Sequence, residues 1–255
     1  MAARSAVDGL DHDGRHLDWD GCFNVRDLGG LRTADGRAVR RGALVRADAL
    51  ERLTDAGWRA LVAHGVRTVV DLRNADEIGA DAASRPAAVT TLRLPLDRIE
   101  DREFWDRWSN GPVFGTPLYY RPHLDRFAHA SAAVVAAIAH AAPGGVAYHC
   151  AGGRDRTGMI TILLLALAGV DPGDIAADYA LSRERRAELS AARGREDDGP
   201  AIEAFLRREG TTAEDTVLAL LRDLDVAERL RDGGLTNADV DALRARMLEP
   251  RPGTG

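Results

Sequence analysis

The chain contains no lysine: all 34 of its cationic side chains are arginine. That absence excludes a Schiff-base enzyme of the usual pyridoxal-phosphate kind, a Walker A nucleotide loop and any lysine base or nucleophile. Cysteine is almost as scarce. Cys22 and Cys150 are too few for a disulfide framework or a four-cysteine zinc site. The seven histidines form no HExxH pair. His12 and His16 stand four apart, but in an Asp- and Gly-rich stretch that gives them little support as ligands. The expectation is a protein with no metal and no cofactor. Long apolar runs are also missing. The longest, Met159 to Val170, has about a dozen residues against the roughly 20 needed to span a bilayer. The first 14 residues lack the apolar core of a cleavable signal, so a cytoplasmic location without stable membrane insertion is expected. A net charge of −6 disfavours nucleic acid as a partner, because nonspecific binding runs on cationic charge.

What is present suffices for one large domain, or one domain with appended helices. Residues 1–20 are polar and read as a loose segment, with a single domain over 21–250. Gly29-Gly30 and Asp35-Gly36 mark turns around short strands near Leu31 and Val39. Thr54 caps a helix running to about His64, stopped by Gly65. Val66–Leu72 and Leu92–Leu96 read as strands. Residues 98–122, with Trp105, Trp108, Tyr119 and Tyr120 among glycines and prolines, read as a long loop with one short helix, in the place of a lid. Leu124–Ala141 is helical, Val146–Tyr148 a short strand and Thr157–Ala168 a helix apolar on all sides. After Asp171 the chain is helical, with breaks near Gly194–Pro200 and Gly233-Gly234. Strands separated by helices predict an α/β fold, a mostly parallel sheet flanked by helices with a helical C-terminal part.

The chemistry concentrates in His149-Cys150-Ala151-Gly152-Gly153-Arg154-Asp155-Arg156-Thr157-Gly158. This stretch follows a strand and opens a buried helix. Gly152 and Gly153 let the backbone curl. A curled loop from Ala151 to Arg156 entering a helix aims successive N–H groups inward, as an anion nest, and the helix N-terminus adds donors and partial positive charge. Arg156, six residues after the cysteine, offers a planar fork that matches two phosphate oxygens. A thiol in that field is expected to be largely thiolate at neutral pH, placed for in-line attack on phosphorus. A cysteinyl-phosphate would form and water would then hydrolyse it. Arg156 and the loop amides would stabilise the equatorial oxygens, and Thr157 would donate its hydroxyl to the departing sulfur. A structural thiol with a chance C-x5-R spacing is the bland alternative. The flanking histidine, the paired glycines, the Arg-Thr-Gly end and the strand-to-helix context weigh against it together.

The loop resembles the H-C-x5-R-[ST] signature of cysteine-dependent protein tyrosine phosphatases. More narrowly it is similar to the bacterial tyrosine and phosphoinositide phosphatases with an H-C-x-x-G-K-D-R-T-G loop. Asn24-Val25-Arg26-Asp27-Leu28-Gly29-Gly30 is similar to that family's N-x-R-D-L-G-G box. Asp71-Leu72-Arg73 with Glu77 resembles its D-L-R-x-x-x-E strand end, and Ala177-Asp178-Tyr179 with Ser182 its A-D-Y-x-x-S segment. The likeness covers about residues 21–190. It implies phosphotyrosine in proteins, or a small phosphorylated molecule, as the substrate partner, and it leaves open export without a cleavable signal. Arg154 stands where the family usually has lysine. Charge is kept, but a fork replaces a compact ammonium, which weighs against inositol lipids.

Three carboxylates are candidates for the acid that protonates the leaving oxygen. Asp155 lies in the loop, and the resemblance implies that it can serve. Asp71 ends its strand near the same mouth, with a salt bridge to Arg73 as its alternative. Asp97 begins the lid-like segment. Arg26 and Asp27 either flank the phosphate loop and orient Arg156, or Asp27 caps the turn that Gly29-Gly30 completes. His149 fits a hydrogen bonder to the loop better than a base. Cys22 is either a disulfide partner for Cys150 under oxidation or an inert thiol. The aromatics at 104–120 line a lid or anchor a long loop. The leading function is a metal-independent protein tyrosine phosphatase. The alternatives are the same chemistry on inositol phosphates or phosphoinositides, a catalytically silent phosphate-binding module and, ranked low, sulfur transfer.

Overall fold

The computed structural model describes residues 14–250. His12 lies outside them, as does most of the segment expected to be loose. Five strands form one sheet: β1 (Arg26–Asp27), β2 (Leu44–Ala47), β3 (Val66–Asp71), β4 (Thr90–Arg93) and β5 (Gly145–His149), in the order β1-β2-β5-β3-β4. All neighbours run parallel except β1, which pairs antiparallel with β2. The fold is thus α/β, with a mostly parallel sheet.

The central strands β2, β3 and β5 are buried on both faces, which is why they show no alternation between apolar and polar residues, whereas the edge strand β4 is partly exposed. The period of two appears instead as alternation between two cores. Val45, Ala47, Val69 and Ala147 face Trp58 and Leu61 of α1 (Asp55–Ala63). Leu44, Val70, Val146 and Tyr148 face the larger core, built on α3 (Tyr120–Ala139) and α4 (Asp155–Ala168). Between α1 and α3 lies the short helix α2 (Arg102–Trp108). The chain then continues through α5 (Pro172–Glu184), α6 (Arg186–Ala192), α7 (Gly199–Arg208), α8 (Ala213–Asp223), α9 (Val226–Asp232) and α10 (Asn237–Met247). The breaks expected near Gly194–Pro200 and Gly233-Gly234 separate α6 from α7 and α9 from α10.

Several expectations shift. Thr54 does cap α1, its hydroxyl accepting from the Gly57 amide at 3.3 Å. Around Leu31 and Val39 there are only isolated bridges, Arg32 to Ala38 and Val39 to Leu248, and no ladder strands. β4 ends at Arg93, although the Leu94 and Leu96 amides still bond to the carbonyls of Asp71 and Leu72. β2 was not foreseen, because Arg46 interrupts its apolar pattern. α3 begins four residues earlier than expected, and α4 two residues earlier.

The part of residues 1–20 that is described, 14–20, is not loose. Arg15 and Trp19 are buried. Trp19 packs in the core that holds Trp58 and Leu61, and Arg15 is drawn in by Asp178 on α5, fully buried, which gathers three guanidiniums: Arg15 Nη1 at 2.8 Å, Arg26 Nε at 3.0 Å and Arg46 Nη1 at 2.6 Å. Burial alone would push the Asp178 carboxyl up, but Arg26 and Arg46 outweigh it and hold it far below the usual carboxylate range. Burial, and then the neighbouring Arg46, lowers Arg26 to about 10. One carboxylate therefore pins the N-terminal segment, two strands and α5 together. Asp178→Asn keeps the shape and leaves the arginines facing one another. Removing one partner of a buried charge cluster costs about 3–5 kcal/mol. The expected result is a loss of that size in urea unfolding at neutral pH. The loss should shrink as pH falls below the ordinary carboxylate range, where the wild type gives up the same interaction.

Candidate active site

The parallel strands β2, β3 and β5 end at one edge of the sheet, the edge where open α/β sheets bind ligands. β5 delivers Cys150, which is buried, and residues 150–154 curl into α4. Each carbonyl of this loop is engaged. That of Cys150 lies 3.1 Å from His149 Nδ1. That of Ala151 accepts from the Ala49 amide at 3.0 Å and from Arg193 at 2.6 Å. Asn24 Nδ2 donates to Gly152 at 3.1 Å, Arg46 to Gly153 at 2.9 Å, and the Gly158 amide to Arg154 at 2.7 Å. In a trans peptide the N–H points opposite to the C=O. Carbonyls tied to the surroundings therefore turn the following amides toward the loop centre, the geometry of an anion nest.

Only one of the two glycines needs to be glycine on conformational grounds. Gly153 has φ +68°, and a Cβ there would lie 2.7 Å from the Ala47 carbonyl oxygen. A Cβ on Gly152 would meet nothing within 4 Å.

Arg156 is aimed by a second loop. Asn74-Ala75-Asp76-Glu77 forms a capping box, with the Asn74 amide donating to Glu77 Oε2 at 2.9 Å. That carboxylate receives Arg156 Nη1 at 2.5 Å and Nη2 at 2.6 Å. Asp97 Oδ2 lies 3.4 Å from Arg156 Nε. Burial opposes the Arg156 charge, but Glu77, Cys150 and Asp97 outweigh it, and the guanidinium is held more firmly protonated than usual. Glu77 in turn stays below the usual carboxylate range: burial raises it, and the Arg156 bonds more than reverse that. The two-pronged contact anticipated for phosphate is here made with Glu77. Two of the five guanidinium N–H donors serve it and Nε–H faces Asp97, which leaves two for an oxyanion.

The other candidates divide. Asp155, on the first turn of α4, accepts from Arg154 Nε at 3.0 Å and Nη2 at 2.8 Å, and from the Tyr120 hydroxyl at 3.2 Å. Asp155 and Asp97 line a cavity of about 670 Å³ together with Cys150, Gly152, Arg154 and Arg156. Asp71 does not line it. Arg73 clasps Asp71 at 2.9 and 2.8 Å, which is the ion pair named above as its alternative. Asp71 thereby stays ionised: burial raises it, while the Arg73 bonds and His149 lower it further. Thr157 is fully buried, and its hydroxyl has no hydrogen-bond partner among the described residues. Arg26 does not touch Arg156. It holds Asn24 Oδ1 at 2.8 Å and so supports the side chain that ties Gly152. Asp27 accepts from the Gly29 and Gly42 amides, each at 2.7 Å, and faces His64 Nε2 at 2.9 Å, as the turn reading has it. Burial pushes the Cys22 thiol well up, with Asp48 adding to it, and its Sγ–H donates to the Ala49 carbonyl at 3.5 Å.

His149 lies beneath the loop with Nδ1 against a carbonyl, so Nδ1 carries the proton. Burial lowers its pKa to about 4 despite Asp71 nearby. The imidazole is neutral at physiological pH. Within residues 98–122, Trp105, Phe114 and Tyr119 line the cavity. They also pack with Phe127 and His123, at ring separations from 5.8 to 6.5 Å for Trp105–Phe114, Trp105–Phe127, Phe114–Tyr119 and Tyr119–His123.

Four residues that shape the site were not assigned a role from sequence. Glu77 and Asn24 lay inside recognised boxes, and the Asn-x-x-Glu spacing was a visible capping signal. Arg46 and Arg193 gave no signal.

A family model described as the tyrosine phosphatase family matches residues 17–249. A Cupriavidus necator protein provisionally named a tyrosine-protein phosphatase is 32% identical, over 93% of this chain and 88% of its own. A tyrosine-protein phosphatase of Nostoc commune is 30% identical, over 82% of this chain and 76% of its own. The triple specificity protein phosphatase PtpB of Mycobacterium tuberculosis is 27% identical, over 89% of this chain and 97% of its own.

Two outcomes are expected. Glu77→Gln loosens Arg156 and lowers kcat on p-nitrophenyl phosphate, on the order of 10²-fold for a misplaced catalytic group, with a smaller change in KM. The second concerns His149. From pH 6.5 down to about 4 the unfolded chain takes up a proton there that the folded chain refuses. Tm should therefore fall as pH drops through that window, and His149→Asn should flatten that part of the curve.

Proposed function

The chain belongs to the tyrosine phosphatase family, and we propose that it hydrolyses phosphotyrosine in proteins through a cysteinyl-phosphate on Cys150. The observation that carries this reading is the loop whose carbonyls are all drawn outward, with Cys150 at its start and Arg156 aimed by Glu77.

The inward amides and Arg156 take the equatorial oxygens of the phosphoryl group. The Cys150 thiolate attacks phosphorus from the side opposite the tyrosine oxygen, so the S–P bond forms as the O–P bond breaks. Asp155 gives the leaving oxygen its proton. Water then attacks the cysteinyl-phosphate, Asp155 takes the water proton, and inorganic phosphate leaves with the thiolate restored. Charge on the equatorial oxygens is stabilised by dipoles already in place. Thr157, whose hydroxyl has no partner among the described residues, donates it to the sulfur. Asp155 is preferred to Asp97 because it stands on the helix that the loop enters. Asp71 is assigned a positioning role through Arg73.

Phosphotyrosine is favoured over inositol phosphates by the state of Arg154. Its guanidinium is committed to Asp155 and packs against Gly115, and so is not a free cation for a further phosphate. Trp105, Phe114 and Tyr119 supply an aromatic wall suited to a tyrosine ring. The segment 98–122 is read as the lid, within a single domain over residues 21–250.

The test is hydrolysis of p-nitrophenyl phosphate in EDTA by wild type and Cys150→Ser. Turnover by the wild type, lost in the variant, is expected, and a reduced wild type inactive across pH 5–8 overturns the enzyme reading. Asp155→Asn should slow phenyl phosphate, a poor leaving group, far more than p-nitrophenyl phosphate. An equal effect on both, with Asp97→Asn selective instead, moves the acid to Asp97.

A further inference from the structure

Three large apolar side chains are exposed among the described residues: Ile99 at 50%, Phe114 at 46% and Leu218 at 36%. Leu218 is on α8 and does not line the active-site cavity, whereas Ile99 and Phe114 both do. A single exposed apolar residue needs no explanation, but a contiguous patch marks a binding surface. Trp105 makes these two contiguous. Its indole N–H donates to the carbonyl of Arg98, next to Ile99, at 3.0 Å, and its ring meets that of Phe114 at 6.0 Å. Phe114 in turn stacks at 5.8 Å on Tyr119, which is buried. An apolar wall therefore runs from the buried Tyr119 through Phe114 and Trp105 out to Ile99. A tyrosine ring covers its inner part. The outer part is left for a residue beside that tyrosine, whose Cα lies about 3.8 Å further along a peptide.

The charges of the cavity do not select an acidic neighbour instead. Arg154, Arg156 and Arg186 are paired with Asp155, Glu77 and Asp197. Arg193 holds the Ala151 carbonyl, and Arg195 shares the wall with Glu196. Nor does the rim suit an anionic lipid surface, which attracts clustered cations. Residues 98–107 carry Arg98, Arg102 and Arg107 against Glu100, Asp101, Glu103 and Asp106.

We propose that Ile99, with Trp105 and Phe114, is a specificity rim that selects phosphotyrosine peptides bearing an apolar residue next to the phosphotyrosine, on one side of it. This rests on the phosphotyrosine reading of the site. The one-sidedness follows from the rim belonging to a single segment, while residues 186–198 line the cavity mainly with polar groups such as Ser190, Arg193 and Glu196.

The probe is a set of short phosphotyrosine peptides of serine and glycine in which one leucine is moved through the two positions on either side of the phosphotyrosine. In the wild type, leucine on one side should raise kcat/KM about fivefold over serine, the scale of half-burying a leucine side chain, and leucine on the other side should not. In Ile99→Ser that gain should vanish, with turnover of p-nitrophenyl phosphate unchanged. Ile99→Arg should prefer glutamate to leucine at the same position, which keeps the test intact if the serine variant folds poorly. Dissociation constants measured calorimetrically in Cys150→Ser, with and without Ile99→Ser, should show the same ratios. A leucine gain that survives in the Ile99 variants, equal gains on both sides, or no gain on either overturns the proposal. So does co-sedimentation of the wild type with phosphatidylserine vesicles that Ile99→Ser abolishes. If the wild type turns over none of the peptides, the phosphotyrosine reading fails. The binding ratios in Cys150→Ser then decide the rim, and peptides that do not bind there overturn it as well.

Discussion

The loop at residues 150–154 turns its carbonyl oxygens away from its own centre, and the surrounding structure is organised to hold them there. Four partners come from distant parts of the chain, Asn24, Arg46, Ala49 and Arg193, and two are local, His149 and the Gly158 amide. A buried carbonyl without a partner costs about 1–3 kcal/mol, so these contacts are the condition for a curled loop inside the protein. Given them, peptide planarity sends the amides inward. The site for an oxyanion follows from satisfying the opposite ends of the same peptide units.

Charge is arranged on the same plan. Asp178 cancels one of the three guanidiniums it gathers, leaving positive charge close to the loop through Arg46. Arg156 is kept charged and oriented by Glu77, with Asp97 alongside. His149, in contrast, is held neutral by burial, and so supports the loop through a hydrogen bond without adding a proton near the sulfur. A preorganised positive field in a water-poor site stabilises developing negative charge without reorganising when the reaction occurs. On the proposed function, that is how a chain without lysine would hold a phosphate with arginine and backbone alone.

Much of this was legible in the sequence. Loop residues Cys150 to Arg156 stood out because the chemistry needs those residue types at adjacent positions. α4 was visible because a helix buried on all sides carries a nearly unbroken apolar run, and β3 because β-branched Val66, Thr68, Val69 and Val70 follow the Gly65 stop. β2 was not, since Arg46 sits where an apolar residue would, and its reason lies on Asp178, 132 residues away. Residues 14–20 looked loose for the same cause: the contact that orders Arg15 is on α5. Asp71 looked like an acid from its strand-end position, and its clasp by Arg73 depends on side-chain directions that spacing does not encode. Glu77 was quoted for its place in a box, but its partnership with Arg156 joins two loops that meet only in the folded sheet. Pairings across large sequence separations are what a single sequence conceals.

The central claim is a phosphoryl group passing through Cys150. Acid quenching during turnover of p-nitrophenyl phosphate, followed by mass analysis of the peptides, tests it directly. The account predicts one phosphoryl group on the peptide that carries Cys150, absent from Cys150→Ser and from unreacted enzyme. Sustained turnover with the phosphoryl group on another residue, or undiminished turnover in Cys150→Ser, would contradict it.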